Sequence, residues 1–371
     1  MARPISLKIH IDALRHNLEV IRRQAPEAKV WAVAKARGYG HGIDAVVRGF
    51  ASADGLAVLD LEEAEQARAV GWAKPILMIE GGFTESDLER IASLGLESVV
   101  WSTDQMSMID RARHKPSRVW LKLNTGMNRL GVSDQISHEV FLDWIKKISV
   151  GGSLPVGWMT HFADADTDDG WRQQADRFMK KTSAMFAALA AAHLPCGPRS
   201  MANSAASLAH VETHADWIRP GIALYGSSPF AAQAERSAAA LGLRPGQSLV
   251  SQLITIQTVP TGESVGYGSR WTAKRPSRIG VIACGYADGY PRYAPDGTPV
   301  RVGDRVVPLA GRVSMDLITV DLTEHTTAAI GDSVELWGAH VSIDQVAELS
   351  GTIGYELMAG VTARVPRVVV E

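Results

Sequence analysis

Residues 29–42 read Lys-Val-Trp-Ala-Val-Ala-Lys-Ala-Arg-Gly-Tyr-Gly-His-Gly. An apolar run of strand length reaches a lysine, Lys35, and passes directly into glycine-rich backbone. That order reads as a buried strand feeding a loop. A dinucleotide-binding fold would place G-x-G-x-x-G at such a junction, and the spacing is missing here. Outward from Lys29–Lys35, strand-like runs recur at Gly55–Asp60, Pro75–Glu80, Leu96–Trp101, Ser117–Asn124, Leu154–Ala163, Pro198–Ser204 and Trp217–Gly226. Amphipathic stretches such as Leu61–Val70 and Trp171–His193 lie between them, and an opening pair, Lys8–Asp12 and the helical Ala13–Gln24, comes before them. Eight strand–helix units in just over 200 residues predict an α/β fold, a (β/α)8 TIM-type barrel, over an open doubly wound sheet.

The texture changes near residue 227. Residues 227–247 are rich in Ala, Ser and Gly and read as a linker. Beyond them, β-like segments at Ser248–Pro260, Arg278–Cys284, Thr298–Ala310, Leu317–Asp321 and Ser333–Trp337 predict a mostly β C-terminal domain. Pro295-Asp296-Gly297 reads as a hairpin turn, and a helix at Ile343–Leu349 with a strand at Arg364–Val370 closes the chain. The expected division is a barrel over residues 1–235 and a β-rich domain over 236–371.

Composition narrows the class of function. With 371 residues, 46% of them hydrophobic, and a formal charge of -2, the chain offers no electrostatic case for nucleic acid or an anionic membrane as partner. Cys196 and Cys284, far apart, provide neither a disulfide framework nor a zinc site, so no metal is expected. They read as unreactive thiols of a reducing compartment. No leader-like apolar core and no run of eighteen apolar residues occurs, which leads to the expectation of a cytoplasmic protein.

In a βα barrel, function gathers at the C-terminal ends of the strands. Polar residues interrupting the apolar strands there are Lys35, Lys122, His161, Asn203 with Ser204, and Arg219. Singly each has an ordinary reading: a solvated lysine, a core histidine, a structural ion pair for Arg219. Together they point five strands at one rim. A lysine behind an apolar strand is partly desolvated, which lowers its pKa and frees amine to condense with a carbonyl.

The Lys35–Gly42 segment resembles the pyridoxal-phosphate signature of alanine racemases. The similarity continues, in the family's order, through Leu121–Gly131, Thr160-His161-Phe162, Asn203-Ser204-Ala205, Arg219-Pro220-Gly221-Ile222, Val265–Gly268, Gly285–Arg292, Gly311–Asp316 and Gly354–Leu357. The resemblance implies L/D-alanine racemisation on pyridoxal 5'-phosphate, with Lys35 carrying the cofactor and serving as the base on the D face and Tyr267 as the base on the L face. It implies cofactor contacts from Tyr39, His161, Asn203, Ser204, Arg219, Gly221, Ile222 and Tyr355, and a chain from Tyr267 through His161 to Arg219 at the pyridine nitrogen. A guanidinium near that chain favours phenolate over phenol. Arg129 and Met315 correspond to substrate-binding residues, and Lys122 to a lysine that is carbamylated in many members. Asp166, Tyr286, Arg292 and Arg312 correspond to the substrate entryway. Family architecture brings Tyr267, Tyr286 and Met315 to the opposite subunit's site, so a homodimer is implied. The chain departs from the family at Arg37-Gly38, where Asn-Ala is usual, at Asn124, often Asp, and at Ser314, often Cys.

The alternatives are a racemase of serine or broader range on the same scaffold, a pyridoxal-dependent decarboxylase of related architecture, and a non-catalytic pyridoxal-phosphate-binding barrel. Arg219 argues against the second, since such enzymes normally set a carboxylate at the pyridine nitrogen. Tyr267 and the full C-terminal domain argue against the third.

Overall fold

The computed structural model describes residues 3–133, 137–149, 154–230 and 234–371. After β1 (Ser6–His10) and the helix Ile11–Gln24, eight strands follow in turn: β2 (Lys29–Val33), β3 (Gly55–Val58), β4 (Ile76–Met78), β5 (Glu97–Val100), β6 (Arg118–Lys122), β7 (Val156–Met159), β8 (Arg199–Ser200) and β9 (Trp217–Ile218). Each lies within one of the eight expected runs. They pair in parallel in sequence order, and β2 returns to β9 through Lys29 opposite Trp217, closing the barrel. Near-continuous apolar runs form such strands because helices cover the sheet's outer face while side chains fill its interior.

Tryptophan fills the barrel near its lower end. Trp31 of β2 stacks on Trp217 of β9 at 4.4 Å and meets Trp120 of β6 edge-on at 6.3 Å. β2 and β6 are not neighbours, so this contact crosses the interior. Glycine makes the room: a Cβ at Gly55 would lie 2.1 Å from the Trp31 ring, and one at Gly157 2.6 Å from Trp120. The Trp120 indole N–H donates to the Glu97 carboxylate at 2.6 Å. With this end plugged, open space remains at the strands' C-terminal ends.

The strands are shorter than their apolar runs. β2 stops at Val33, two residues before Lys35, and β9 stops ahead of Arg219-Pro220-Gly221. The Pro198–Ser204 run holds only a two-residue strand; Ser204 instead opens the helix Ser204–Ala209, capped by the Asn203 side chain accepting from Ala206 N–H at 3.1 Å. Asn and Ser favour helix starts over strand interiors because their side chains bond nearby backbone.

The C-terminal part is a sheet. β10 (Gln247–Val259) is long enough to pair with β1, with β17 (Ser333–Trp337) and, further along, with β13 (Ser277–Ile282). The short ribbon β11 (Ser264–Val265) and β12 (Trp271–Thr272) precedes β13. β14 (Pro299–Val302) joins β15 (Arg305–Pro308) and β17, while β16 (Ile318–Asp321) joins β13. β18 (Arg367–Val370) lies parallel to β1, Leu7 opposite Arg367. The opening strand therefore hydrogen-bonds into the β sheet and not into the barrel. Residues 231–233 of the expected linker lie outside the described residues.

Two local readings change. Thr298–Ala310 is not one strand but a hairpin turning at Gly303-Asp304, with Val302 opposite Arg305 and Gly303 at φ +57°. Pro295-Asp296-Gly297 forms a turn but not the hairpin's: the Asp296 carboxylate accepts from Gly311 N–H at 2.7 Å and from Arg270, tying two loops. A helix at Gly354–Gly360 also forms where no element is expected. Among the described residues no helix is long and apolar enough to cross a membrane.

Candidate active site

The strand ends converge. Lys122 is the last residue of β6; Lys35 and His161 stand two residues beyond β2 and β7; Arg219 follows β9 directly. With Tyr39, Arg129, Asp166, Asn203, Ser204, Gly221, Ile222 and Tyr355 they line one cavity of about 370 Å³. Asp166, expected at the entryway, thus joins the barrel residues.

The loop after Lys35 has an uncommon backbone. Ala36, Arg37, Gly38, Tyr39 and Gly40 all have positive φ, between 51° and 81°. A left-handed turn costs about 1–2 kcal/mol for each non-glycine residue. Glycine is required on steric grounds as well: a Cβ at Gly38 would come within 2.3 Å of Val46 Cγ2 and one at Gly40 within 2.3 Å of the Met358 carbonyl. Gly38 therefore fits this packing, where the alanine usual in the similar family would collide with Val46. The buried His41 ring helps hold the turn, its Nδ1–H donating to the Gly38 and Tyr39 carbonyls at 2.9 and 3.1 Å.

At one end of the cavity the Arg219 guanidinium is buried. It donates to the Thr160 and Met201 carbonyls at 2.5 and 3.1 Å and to the Ser200 hydroxyl, and approaches His161 Nδ1 at 3.4 Å. These partners are all neutral, so the ion-pair reading of Arg219 does not apply. Burial pushes Arg219 down to about 9, still above neutral pH, so it keeps its charge. His161 is held well below the usual imidazole range, first by burial and then by the Arg219, Lys122 and Arg129 charges. It is neutral at physiological pH. Lys122 is pushed down to about 8 by burial and by Arg219 and Arg129, with Glu80 opposing. Lys35 is lowered by burial and Arg129 against Glu80 and Glu63. Several basic groups thus face one cavity with few carboxylates to offset them.

The other end offers hydrogen-bond donors. Ser204 Oγ accepts from Gly221 N–H at 2.7 Å, and a Cβ at Gly221 would sit 2.4 Å from the Tyr39 hydroxyl. Burial holds the Tyr39 and Tyr355 phenols above their ordinary value, so both remain O–H donors at neutral pH. Hydroxyl, phenols and backbone N–H suit a phosphate-sized anion.

The remaining expected residues are elsewhere. Tyr267 and Met315 are 72% and 52% exposed, and neither lines the cavity. Tyr286 N–H bonds the Ser314 carbonyl, Ala287 N–H bonds that of Met315, and the Arg292 guanidinium lies 5.9 Å from the Tyr286 ring. Arg312 is near the Gly266–Gly268 loop. None of these five residues of the β domain lines the barrel cavity, and Tyr267, Tyr286 and Met315 are exposed. Two carboxylates escape the strand-end survey: Glu80, which ends an expected strand and lines the cavity, and Glu63, which follows Asp60 at capping-box spacing. Among the described residues no group of three or more His, Cys, Asp or Glu is arranged to hold a metal.

Known proteins match the whole chain. The family model described as alanine racemase, N-terminal domain, matches residues 9–229, and that described as alanine racemase, C-terminal domain, matches 247–369. An alanine racemase of Paraburkholderia phytofirmans is 47% identical over 367 residues, 99% of each chain. The solved biosynthetic alanine racemase of Pseudomonas aeruginosa superposes with a TM-score of 0.88 at 44% identity, covering 100% of both chains. The solved alanine racemase of Acinetobacter baumannii superposes with a TM-score of 0.90 at 33% identity, covering 99% of this chain and 100% of that one.

The electrostatics yield one direct expectation. Arg219→Met removes the nearest positive charge from His161, so the imidazole pKa should rise toward, while staying below, its ordinary value, because burial persists. NMR titration, with the resonance assigned through His161→Gln, measures this; an unmoved midpoint would show that Arg219 does not set the histidine's charge.

Proposed function

The chain belongs to the alanine racemase family, and from that premise we propose how it interconverts L- and D-alanine: Lys35 and Tyr267 of the partner subunit act as bases on opposite faces of the substrate. The observation carrying this reading is the convergence of Lys35, His161, Arg219, Ser204 and Gly221 on one cavity while Tyr267 stands exposed outside it.

The donor set fits pyridoxal 5'-phosphate: an amine with a lowered pKa at Lys35, a cation anchored by neutral partners at Arg219, and phosphate-suited donors where Gly221 leaves room beside Tyr39. Bound there, the cofactor supplies the electron sink that makes the alanine α-proton removable. Ser204, Gly221, Ile222, Tyr39 and Tyr355 would hold its phosphate, with Asn203 and His161 lining its site and Arg219 at its ring nitrogen. Arginine does not readily give up its proton, so Arg219 would donate a hydrogen bond there without transferring the proton.

Arg129, at the rim, binds the substrate carboxylate. The Lys35 Nζ takes and returns the α-proton on the D face, and the phenolic oxygen of Tyr267 of the partner subunit does so on the L face. A neutral His161 accepts a hydrogen bond without adding charge, which passes the influence of Arg219 toward that phenol. Met315 of the partner subunit, with Tyr286, Arg292 and Arg312 beside it and Asp166 from the barrel, would narrow the entryway. The exposed face carrying these groups supports a homodimer with shared sites. Cys196 and Cys284 are unpaired, which accords with a cytoplasmic location. The neutral surroundings of Arg219 weigh against a decarboxylase.

Lys122 is proposed to be carbamylated. Its ammonium would first lose one proton; the free Nζ lone pair would then bond to the carbon of CO₂ as one C=O π pair moves to oxygen and a second N–H proton leaves, replacing one cation by an anion among Arg219, Arg129 and Lys35. In isotope-labelled bicarbonate the protein should show a carbamate carbon resonance that Lys122→Ala abolishes; no such signal in the wild type would remove the assignment.

Shared sites make complementation the main test. Lys35→Ala and Tyr267→Phe homodimers should each lose about 10²–10⁴-fold in rate. Mixed and allowed to exchange subunits, they should recover about a quarter of wild-type activity, because half the dimers then carry one intact site of two. No recovery, despite exchange shown by mass, would mean both groups act within one subunit.

A further inference from the structure

Glu63 lies in the first turn of the helix Leu61–Ala69 and is 4% exposed. Its carboxylate serves two loops. Oε2 accepts from Leu59 and Asp60 N–H at 3.1 and 3.3 Å, tying off the helix start that follows β3. Oε1 accepts from Arg37 N–H at 2.7 Å, in the loop that follows β2.

That second bond falls on the left-handed turn. Three neighbouring N–H groups bond locally: Gly40 N–H bonds the Ala36 carbonyl, Gly42 N–H that of Arg37, and Gly38 N–H that of Ala34. Arg37 N–H points to Glu63 instead. Arg37 has φ +53° and follows Ala36 at +54°, so the clamp grips two non-glycine residues in a conformation they disfavour, directly after Lys35. A neutral amide cannot replace it. Glutamine has one acceptor oxygen and one N–H₂ group, and with N–H donors on both sides, one side would meet a donor. Only a carboxylate satisfies both loops.

We propose that Glu63 is a positioning residue of the racemase site: its carboxylate clamps the left-handed turn Ala36–Gly40 against the neighbouring loop and so aims Lys35. The role rests on the reading of Lys35 as the cofactor lysine. Charge acts alongside geometry, since the Glu63 anion favours the Lys35 ammonium and opposes the downward push of burial and Arg129. Glu63 touches no reacting atom and works through Lys35.

Two variants separate geometry from charge. Glu63→Gln keeps the size, loses the charge and breaks one of the two loop contacts. Glu63→Asp keeps the charge and is one methylene short of spanning both. A control with the same device elsewhere is Thr84→Ala: Thr84 and Asp87 form a capping box at the helix Glu85–Ser93, with no bond to the Lys35 loop. Three readouts are taken: the pH midpoint of Lys35 acylation by an amine reagent in the protein stripped of cofactor, kcat and KM for alanine in the loaded enzyme, and the lysine that carries reduced cofactor.

In Glu63→Gln the acylation midpoint should move to lower pH, and kcat should fall by about 10–100-fold with KM little changed, as expected for a misaimed amine. Glu63→Asp should lower kcat while leaving the midpoint near the wild-type value. Thr84→Ala should lower thermal stability and leave the acylation midpoint and kcat alone. Wild-type midpoint and kcat in Glu63→Gln would overturn the proposal, as would equal shifts in Thr84→Ala, which would reveal a general loss of stability. Reduced cofactor on a lysine other than Lys35 in the wild type would overturn the Lys35 reading itself, and this role with it.

Discussion

A guanidinium sealed in a barrel without a carboxylate beside it constrains everything around it. Removing such a charge from water costs several kcal/mol unless its N–H groups find acceptors. Here the acceptors are the Thr160 and Met201 carbonyls and the Ser200 hydroxyl, drawn from the ends of β7 and β8. Arg219 thereby fixes three strand ends relative to one another, and its own N–H bonds the Ala202 carbonyl. Burial first, and after it this uncompensated charge, keeps His161 neutral and lowers Lys122. In a low-dielectric site these effects are far larger than in water. Cations facing one cavity make it a place for an anion, which is what a phosphorylated cofactor and a carboxylate substrate bring.

The sequence reveals the barrel readily because its signal is repeated: eight apolar runs separated by helix-length amphipathic stretches leave few arrangements. The same alternation locates Lys35, Lys122, His161 and Arg219, since a polar residue after an apolar strand ends at the barrel mouth. Less legible is whatever depends on pairing across long stretches of sequence. β1 precedes the eight barrel runs but falls within the residues 1–235 expected to form the barrel domain, yet its partners are β10 and β18, some 240 and 360 residues away, and a five-residue strand carries no mark of which sheet will take it. Gly303 is a weak turn signal beside Pro295-Asp296-Gly297, and only the register shows which turn makes the hairpin. The roles of Tyr267 and Met315 could not be read from composition or periodicity, because an exposed tyrosine in a glycine-rich loop looks ordinary; the family resemblance supplied them. Asp60 and Glu63 stand at capping-box spacing, a signal that a reading of strand ends passes over, and the bond of Glu63 to Arg37 belongs to the fold.

The two parts of the chain are linked at more than the connection near residue 230. β1 begins the chain inside the C-terminal sheet, and the next helix, Ile11–Gln24, packs on the barrel: the Asn17 side-chain amide donates to the Leu224 and Arg244 carbonyls at 3.1 and 2.8 Å. Arg3 bonds the buried Asp288 carboxylate, which Arg364 also holds, just beyond Tyr286. The exposed face carrying Tyr267, Tyr286 and Met315 is therefore braced from both ends of the chain.

The central claim is that two bases, one in each half of the chain, address opposite faces of the same substrate. Exchange of the alanine α-proton with solvent deuterium in Tyr267→Phe measures it most directly, because the substitution removes only the phenolic oxygen. Lys35 remains, so D-alanine should still exchange its α-proton, while L-alanine should exchange slower by about 10²–10⁴-fold than in the wild type. Equal exchange of both enantiomers, or racemisation near the wild-type rate, would contradict the account.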